Sequence, residues 1–249
     1  MRRPILAANW KMHKNITETR AFFEKFNPLV ANSNHCDIVI FPTFVSLPAA
    51  VDATRGSSVR IGGQNLFWEK EGAYTGEISG AMLQAAGCKW VLVGHSERRK
   101  YFGETNEDAR KKIVAALDAG LTPIYCIGEN LEERQAERTH QVLETQFHGG
   151  TARLTIQKFS KIVIAYEPCW AIGTGKVATP EIAADAHRQI REQIRKSFGP
   201  EPASACRILY GGSVKPDNVR GLMDQPEIDG GLVGGASLDP VSFASLVNY

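Results

Sequence analysis

The sequence has no apolar run long enough to cross a membrane. Its uninterrupted stretches, such as Trp90-Val91-Leu92-Val93, fall far short of the roughly 20 residues a spanning helix needs. Its start has no signal-peptide core, because Ile5-Leu6-Ala7-Ala8 is broken at once by Asn9 and Lys11. A cytoplasmic location is therefore expected. Cysteine is sparse: Cys36, Cys88, Cys126, Cys169 and Cys206 are an odd set of five, too scattered for a disulfide scaffold and suited to a reducing compartment. No two of them stand two residues apart, and His13, His35, His140, His148 and His187 show no paired ligand spacing, so no metal is expected. An excess of one charge is missing as well. The 29 Lys+Arg against 27 Asp+Glu leave a net +2, which excludes a basic stripe as the device for holding nucleic acid. There is no GxxxxGK[ST] and no GxGxxG after a strand, so neither ATP nor NAD is expected. No glycine-serine or proline-rich linker divides the chain, which reads as a single domain over residues 1–249.

What the chain does contain is one repeating rhythm. With 43% hydrophobic and 22% charged residues it has the composition of a soluble globular protein. Short apolar or β-branched runs recur at residues 5–10, 37–41, 59–64, 90–93, 123–127, 162–166, 207–210 and 231–233. Several are apolar at successive positions, the mark of strands buried on both faces of a parallel sheet. Eight units in 249 residues give about 31 residues each, the size of a strand plus a crossover helix. Helical patterns lie between them. One starts at Thr17 with Phe22, Phe23 and Phe26 on its apolar face; Thr105 and Asp108 make a capping box; Thr179 precedes Pro180 at a first helical position. Residues 130–147 predict the longest single helix. Eight consecutive units in one domain favour a closed (β/α)8 barrel over an open sheet, which would have two edges to protect, although a doubly wound sheet has similar local patterns.

In such a barrel the chemistry belongs at the C-terminal ends of the strands. The residues directly after the apolar runs are polar: Asn9 and Lys11, Gln64 and Asn65, His95 to Glu97, Glu129, Glu167, and the turns Gly211-Gly212-Ser213 and Gly234-Gly235. Adjacent glycines let backbone N–H groups approach an anion closely, and two such pairs follow the last two strands, where barrel phosphate sites commonly form. Each pair taken alone also reads as an ordinary turn. Glu167, held on a strand exit by Pro168, has the residue type and place of a general base. His95 precedes a helix start, whose N-terminus disfavours imidazolium and leaves a neutral donor. Lys11 can steady developing negative charge. Cys126, with no base beside it, reads as packing.

The segments Asn9-Trp10-Lys11-Met12, Gly94-His95-Ser96-Glu97-Arg98-Arg99 and Ala165-Tyr166-Glu167-Pro168, continuing into Trp170-Ala171-Ile172-Gly173-Thr174-Gly175, resemble the triosephosphate isomerase family. So do Tyr210-Gly211-Gly212-Ser213-Val214 and Gly234-Gly235-Ala236-Ser237-Leu238, so that the likeness covers nearly the whole chain in order. The resemblance implies a TIM (β/α)8 barrel and a step of glycolysis and gluconeogenesis, the interconversion of dihydroxyacetone phosphate and D-glyceraldehyde 3-phosphate, without a cofactor. It implies Glu167 as the base acting through an enediol(ate), neutral His95 as the donor to the carbonyl, Lys11 and Asn9 as charge stabilisers, and Glu97 as support for that network. It implies phosphate held by the backbone at Gly173, Ser213, Gly234 and Gly235. A lid is implied over Pro168, Cys169, Trp170, Ala171, Ile172, Gly173, Thr174, Gly175, Lys176, Val177 and Ala178. Cys169 stands where the family usually has valine or leucine, and an exposed thiol there would be open to modification.

The resemblance also implies a homodimer, in which Tyr74, Thr75 and Gly76 of the long third-strand exit reach the neighbour's active site. Other enzymes on this architecture remain as alternatives. A Schiff-base aldolase needs a shielded lysine inside a mid-barrel strand, and none of the runs above offers one. A silent binding protein would not require Lys11, His95 and Glu167 together.

Overall fold

The computed structural model describes residues 2–172 and 178–249. Eight strands, β1 (Ile5–Asn9), β2 (Asp37–Phe41), β3 (Val59–Gly63), β4 (Trp90–Val93), β5 (Thr122–Ile127), β6 (Val163–Tyr166), β7 (Ile208–Tyr210) and β8 (Gly230–Val233), each pair in parallel with the next. β8 pairs with β1 and closes the ring, so the fold is an eight-stranded parallel TIM barrel wrapped in helices. In chain order these are α1 (Ile16–Val30), α2 (Leu47–Ala53), α3 (Gly80–Ala85), α4 (Ser96–Phe102), α5 (Asn106–Asp118) and α6 (Leu131–Gln135). They continue as α7 (Thr139–Thr151), α8 (Ile156–Phe159), α9 (Pro180–Phe198), α10 (Pro200–Ala205), α11 (Val219–Met223) and α12 (Pro240–Val247).

Strand periodicity sorts the buried residues into two cores. Ala7, Val39, Leu92, Cys126, Ala165 and Leu209 point inward and fill the barrel, while their chain neighbours Leu6, Ile38, Val91, Tyr125, Ile164 and Ile208 pack outward against helices. At β3 the inward place is Gly62. A Cβ there would stand 2.4 Å from the Phe41 ring, so the glycine makes room for a phenyl group from the adjoining strand.

Helix starts follow side-chain caps. The Thr105–Asp108 box opens α5 and the Thr179 cap opens α9 as expected. The first helix begins at Ile16, one residue before Thr17: Asn15 caps it, and the Glu18 carboxylate accepts the Asn15 N–H. The long helix expected over residues 130–147 is two helices. Asn130 and Glu133 box the first, which stops where Glu137 turns to φ 55°, and α7 restarts at Thr139. No glycine or proline marks that break.

His187 of α9 is fully buried against the edge of Tyr166, with Nδ1 3.1 Å from the Glu227 carbonyl. Burial pushes its pKa down to about 3. Between that value and about 6.5 the unfolded chain takes up a proton that the folded chain refuses, so stability falls as pH falls through this window. From pH 7 to pH 5, urea unfolding of the wild type is expected to lose about 2 kcal/mol more than that of His187→Gln. Parallel curves for the two proteins would refute this.

Candidate active site

Each strand exit delivers its polar residue to one mouth of the barrel. After β1, Lys11 adopts φ 53°, a left-handed conformation held from both sides. Its N–H donates to Asn9 Oδ1 at 3.0 Å, and its carbonyl accepts from Gln64 Nε2 at 2.8 Å. The turn commits the Asn9 oxygen and leaves the amide NH2 as the donor Asn9 can offer. Lys11 Nζ lies 2.5 Å from Glu97 Oε1, in the first turn of α4.

His95 is the cap residue of that helix and is buried. Its Nδ1 accepts the Glu97 N–H at 3.3 Å, so a single ring proton belongs on Nε2, which lies 2.9 Å from Glu167 Oε1. Glu167 is 1% exposed. Besides His95, it accepts from the Ser96 N–H at 2.9 Å and the Ser96 hydroxyl at 3.3 Å. Burial alone would raise the Glu167 carboxyl; His95, the Ser96 N–H and Lys11 outweigh it and hold the group below the usual carboxylate range. Burial likewise opposes charge on His95, but the Glu167 carboxylate, with Glu97 behind it, raises the ring's pKa. In this position the donors around Glu167 suppress its basicity.

Asn9, Lys11, His95 and Glu167 meet Ser213, Gly234 and Gly235 around a cavity of about 310 Å³. Gly234 lies beside Lys11: a Cβ there would be in ordinary contact with Lys11 Cε, at 3.6 Å. Glu97 does not itself line the cavity and touches it through two residues that do, Lys11 and His95. Gly173, and with it Thr174, Gly175, Lys176 and Val177 of the expected lid, lies outside the described residues. Among the described residues, no group of three or more His, Cys, Asp or Glu is placed to hold a metal.

The model of the family described as triosephosphate isomerase matches residues 4–249. Curated relatives named triosephosphate isomerase include one from Solibacter usitatus, 65% identical over the full length of both chains. Others come from Geobacter metallireducens and Citrifermentans bemidjiense, 54% and 53% identical over the whole of this chain and 99% of theirs. The chain belongs to the triosephosphate isomerase family.

Within this triosephosphate isomerase family member, the segment after Glu167 is anchored at its first residues. The Cys169 N–H donates to the Glu129 carbonyl at 3.0 Å, and residues Cys169–Ala171 form a short 3₁₀ turn. Trp170 Nε1 and the Tyr166 hydroxyl both donate to Glu129 Oε1, at 2.8 and 3.0 Å, and Arg134 stacks over the Trp170 ring. Glu129 is fully buried and its pKa is raised by that burial. Cys169 is half-buried, its Sγ 3.4 Å from the Glu167 carbonyl, and burial pushes the thiol up to about 12. The thiol keeps the partial exposure that would open it to modification, but it stays protonated at neutral pH, which lowers its reactivity.

Sequence reasoning missed Ser96 as a partner of Glu167, Gln64 as the brace of Lys11, and Lys215 on the cavity wall, whereas the Gly211-Gly212 pair lies on that wall at a strand exit where an anion site was expected. Ser96 and Gln64 were visible as polar residues at strand exits; nothing in their spacing says which group each meets across the barrel. Tyr74, Thr75 and Gly76 are exposed on the loop after β3, with Tyr74 folded back so that its ring centroid is 4.6 Å from that of Phe67.

Proposed function

We propose that the protein interconverts dihydroxyacetone phosphate and D-glyceraldehyde 3-phosphate. The observation that carries this reading is one buried carboxylate, Glu167, within 2.9 Å of a histidine Nε2 in a cavity shared with Lys11 and two glycine-bearing strand exits. Glu167 removes a proton from the carbon next to the substrate carbonyl, and the electron pair moves to the carbonyl oxygen. The hydroxyl proton of that first carbon then passes to the former carbonyl oxygen by way of His95 Nε2, and Glu167 returns its proton to the former carbonyl carbon as the first carbon becomes the aldehyde. Nothing is oxidised or reduced overall, so no cofactor is required. Lys11 and the Asn9 amide steady the negative oxygen. Backbone N–H groups at Ser213, Gly234 and Gly235, with Gly173, hold the phosphate.

To act, Glu167 must leave Ser96 and His95. When it goes, the larger part of the upward pull on His95 goes with it. Burial and the N–H donated to Nδ1 remain, and both favour a neutral ring with its proton on Nε2. The parked pair therefore prepares both partners, since the same movement that raises the basicity of the carboxylate neutralises the donor. Closure of residues 168–178 over the cavity would exclude water and protect the intermediate. A coupled assay with D-glyceraldehyde 3-phosphate tests the reading; a chain inactive in both directions would overturn it.

The working unit on this reading is a cytoplasmic homodimer of single (β/α)8 domains. Met12, Val45, Tyr101 and Phe102 are exposed at the exits of β1, β2 and β4, beside the loop that carries Thr75, and a second copy of the chain would cover them. Among the described residues no helix is long and apolar enough to cross a membrane. Light scattering across protein concentration is expected to give twice 27.3 kDa; a fully active species of 27.3 kDa would refute the dimer.

A further inference from the structure

We propose that Gln146 is a positioning residue for this isomerisation, fixing Glu167 and His95 relative to one another through a polar strap behind β5; the proposal rests on the catalytic reading above. Gln146 lies on α7 and does not line the cavity. Its side-chain amide grips one residue at both ends. Oε1 accepts the Gly128 N–H at 2.8 Å and Nε2 donates to the Gly128 carbonyl at 3.1 Å, a pairing that only an amide completes. Gly128 in turn lies directly against the backbone of the base: a Cβ on it would stand 1.7 Å from the Glu167 carbonyl oxygen. On either side the Glu167 N–H donates to Ile127 at 2.8 Å and the Cys169 N–H to Glu129 at 3.0 Å. Where Gly128 is held, the main chain carrying the carboxylate is held too.

The other end of the strap reaches the histidine. The Tyr125 hydroxyl donates to the Gln146 carbonyl and accepts from Arg99 at 3.3 Å. Arg99 Nε donates at 2.8 Å to the carbonyl of Gly94, the residue before His95. One continuous series of hydrogen bonds therefore runs from Gly94 through Arg99, Tyr125 and Gln146 to Gly128. It joins the exit of β4 to the exit of β5, and the close contact of Gly128 with Glu167 carries it on to the exit of β6. A displacement of about 1 Å between a base and its target costs on the order of 10²-fold in rate, and this strap governs distances of that size.

The test compares wild type, Gln146→Leu, Gln146→Glu, Tyr125→Phe and the Leu/Phe double variant, measuring kcat, KM and inhibition by inorganic phosphate. Gln146→Leu is expected to lower kcat about 10- to 100-fold, with KM and the phosphate inhibition constant within about threefold of wild type. Gln146→Glu keeps the acceptor for the Gly128 N–H and should fall between the two. Because both side chains act through one strap, the double variant should lose less than the product of the single losses. Wild-type kcat in Gln146→Leu, a loss matched by equal weakening of phosphate binding, or strictly multiplicative losses would each overturn the proposal. If Gln146→Leu does not fold, Gln146→Glu and Tyr125→Phe decide: unchanged kcat in both refutes the strap. An inactive wild type would instead remove the catalytic reading on which the strap depends.

Discussion

Glu167→Asp is expected to lose about 10²- to 10³-fold in kcat, with KM changed by less than about threefold. Removing one methylene retracts the carboxylate by about 1.5 Å from any carbon the longer side chain can reach. Lys11, Ser213 and Gly234 make no hydrogen bond to Glu167, so the anion-holding part of the cavity is left as it was. The hydrogen bonds of Glu167 change too, because the shorter side chain cannot meet the Ser96 N–H and His95 Nε2 together. Loss of those donors frees the carboxylate, but in the wrong place. Steady-state kinetics in both directions check this, and turnover equal to wild type would remove Glu167 from the role of base.

A single methyl group at Gly128 is expected to be nearly as damaging from outside the cavity. The added Cβ would fall 1.7 Å from the Glu167 carbonyl oxygen and 2.5 Å from its carbonyl carbon, with main chain on both sides of the clash. A flexible side chain could swing away; here the exits of β5 and β6 must separate. Overpacking of this kind costs about 3 kcal/mol. That is roughly 6–12 °C in Tm for a chain of this length. Separation also breaks the Glu167 N–H bond to Ile127 and moves the base, so kcat should fall at least about 10²-fold in the protein that remains folded. Calorimetry and kinetics on Gly128→Ala decide it: a protein with wild-type Tm and turnover would mean that the two exits part without consequence.

The residues that read clearly in the sequence are those set by a single strand. Asn9, His95 and Glu167 each follow directly on a buried run, and a barrel sends whatever follows such a run to its mouth. Barrel closure was less legible, because each strand is apolar on both faces and a doubly wound sheet would show the same pattern. Residues that work by meeting another element were the least legible. Ser96 reads as the start of a helix until Glu167 arrives from two strands away. Gln146 reads as one more polar position on a charged helix, and only the fold brings it to Gly128. The break between α6 and α7 escaped notice for a related reason, since Glu137 carries the left-handed turn with no glycine to announce it. The start of α1 was different. Its Asn15–Glu18 box was there to be read, and Thr17 drew attention from it.

Those capping boxes also place charge. Helices α1, α5 and α6 all begin on the side of the barrel where the strands end, and in each the N–H of the cap residue donates to a carboxylate of the first turn, from Glu18, Asp108 or Glu133. A dianion arriving at those helix starts meets a resident negative charge. The three-residue turn Gly235–Ser237 after β8 has no side-chain cap, and Gly234 and Gly235 face the cavity. Within one ring of similar strand-to-helix connections, the exit of β8 is thus one that brings no carboxylate of its own to the mouth of the barrel.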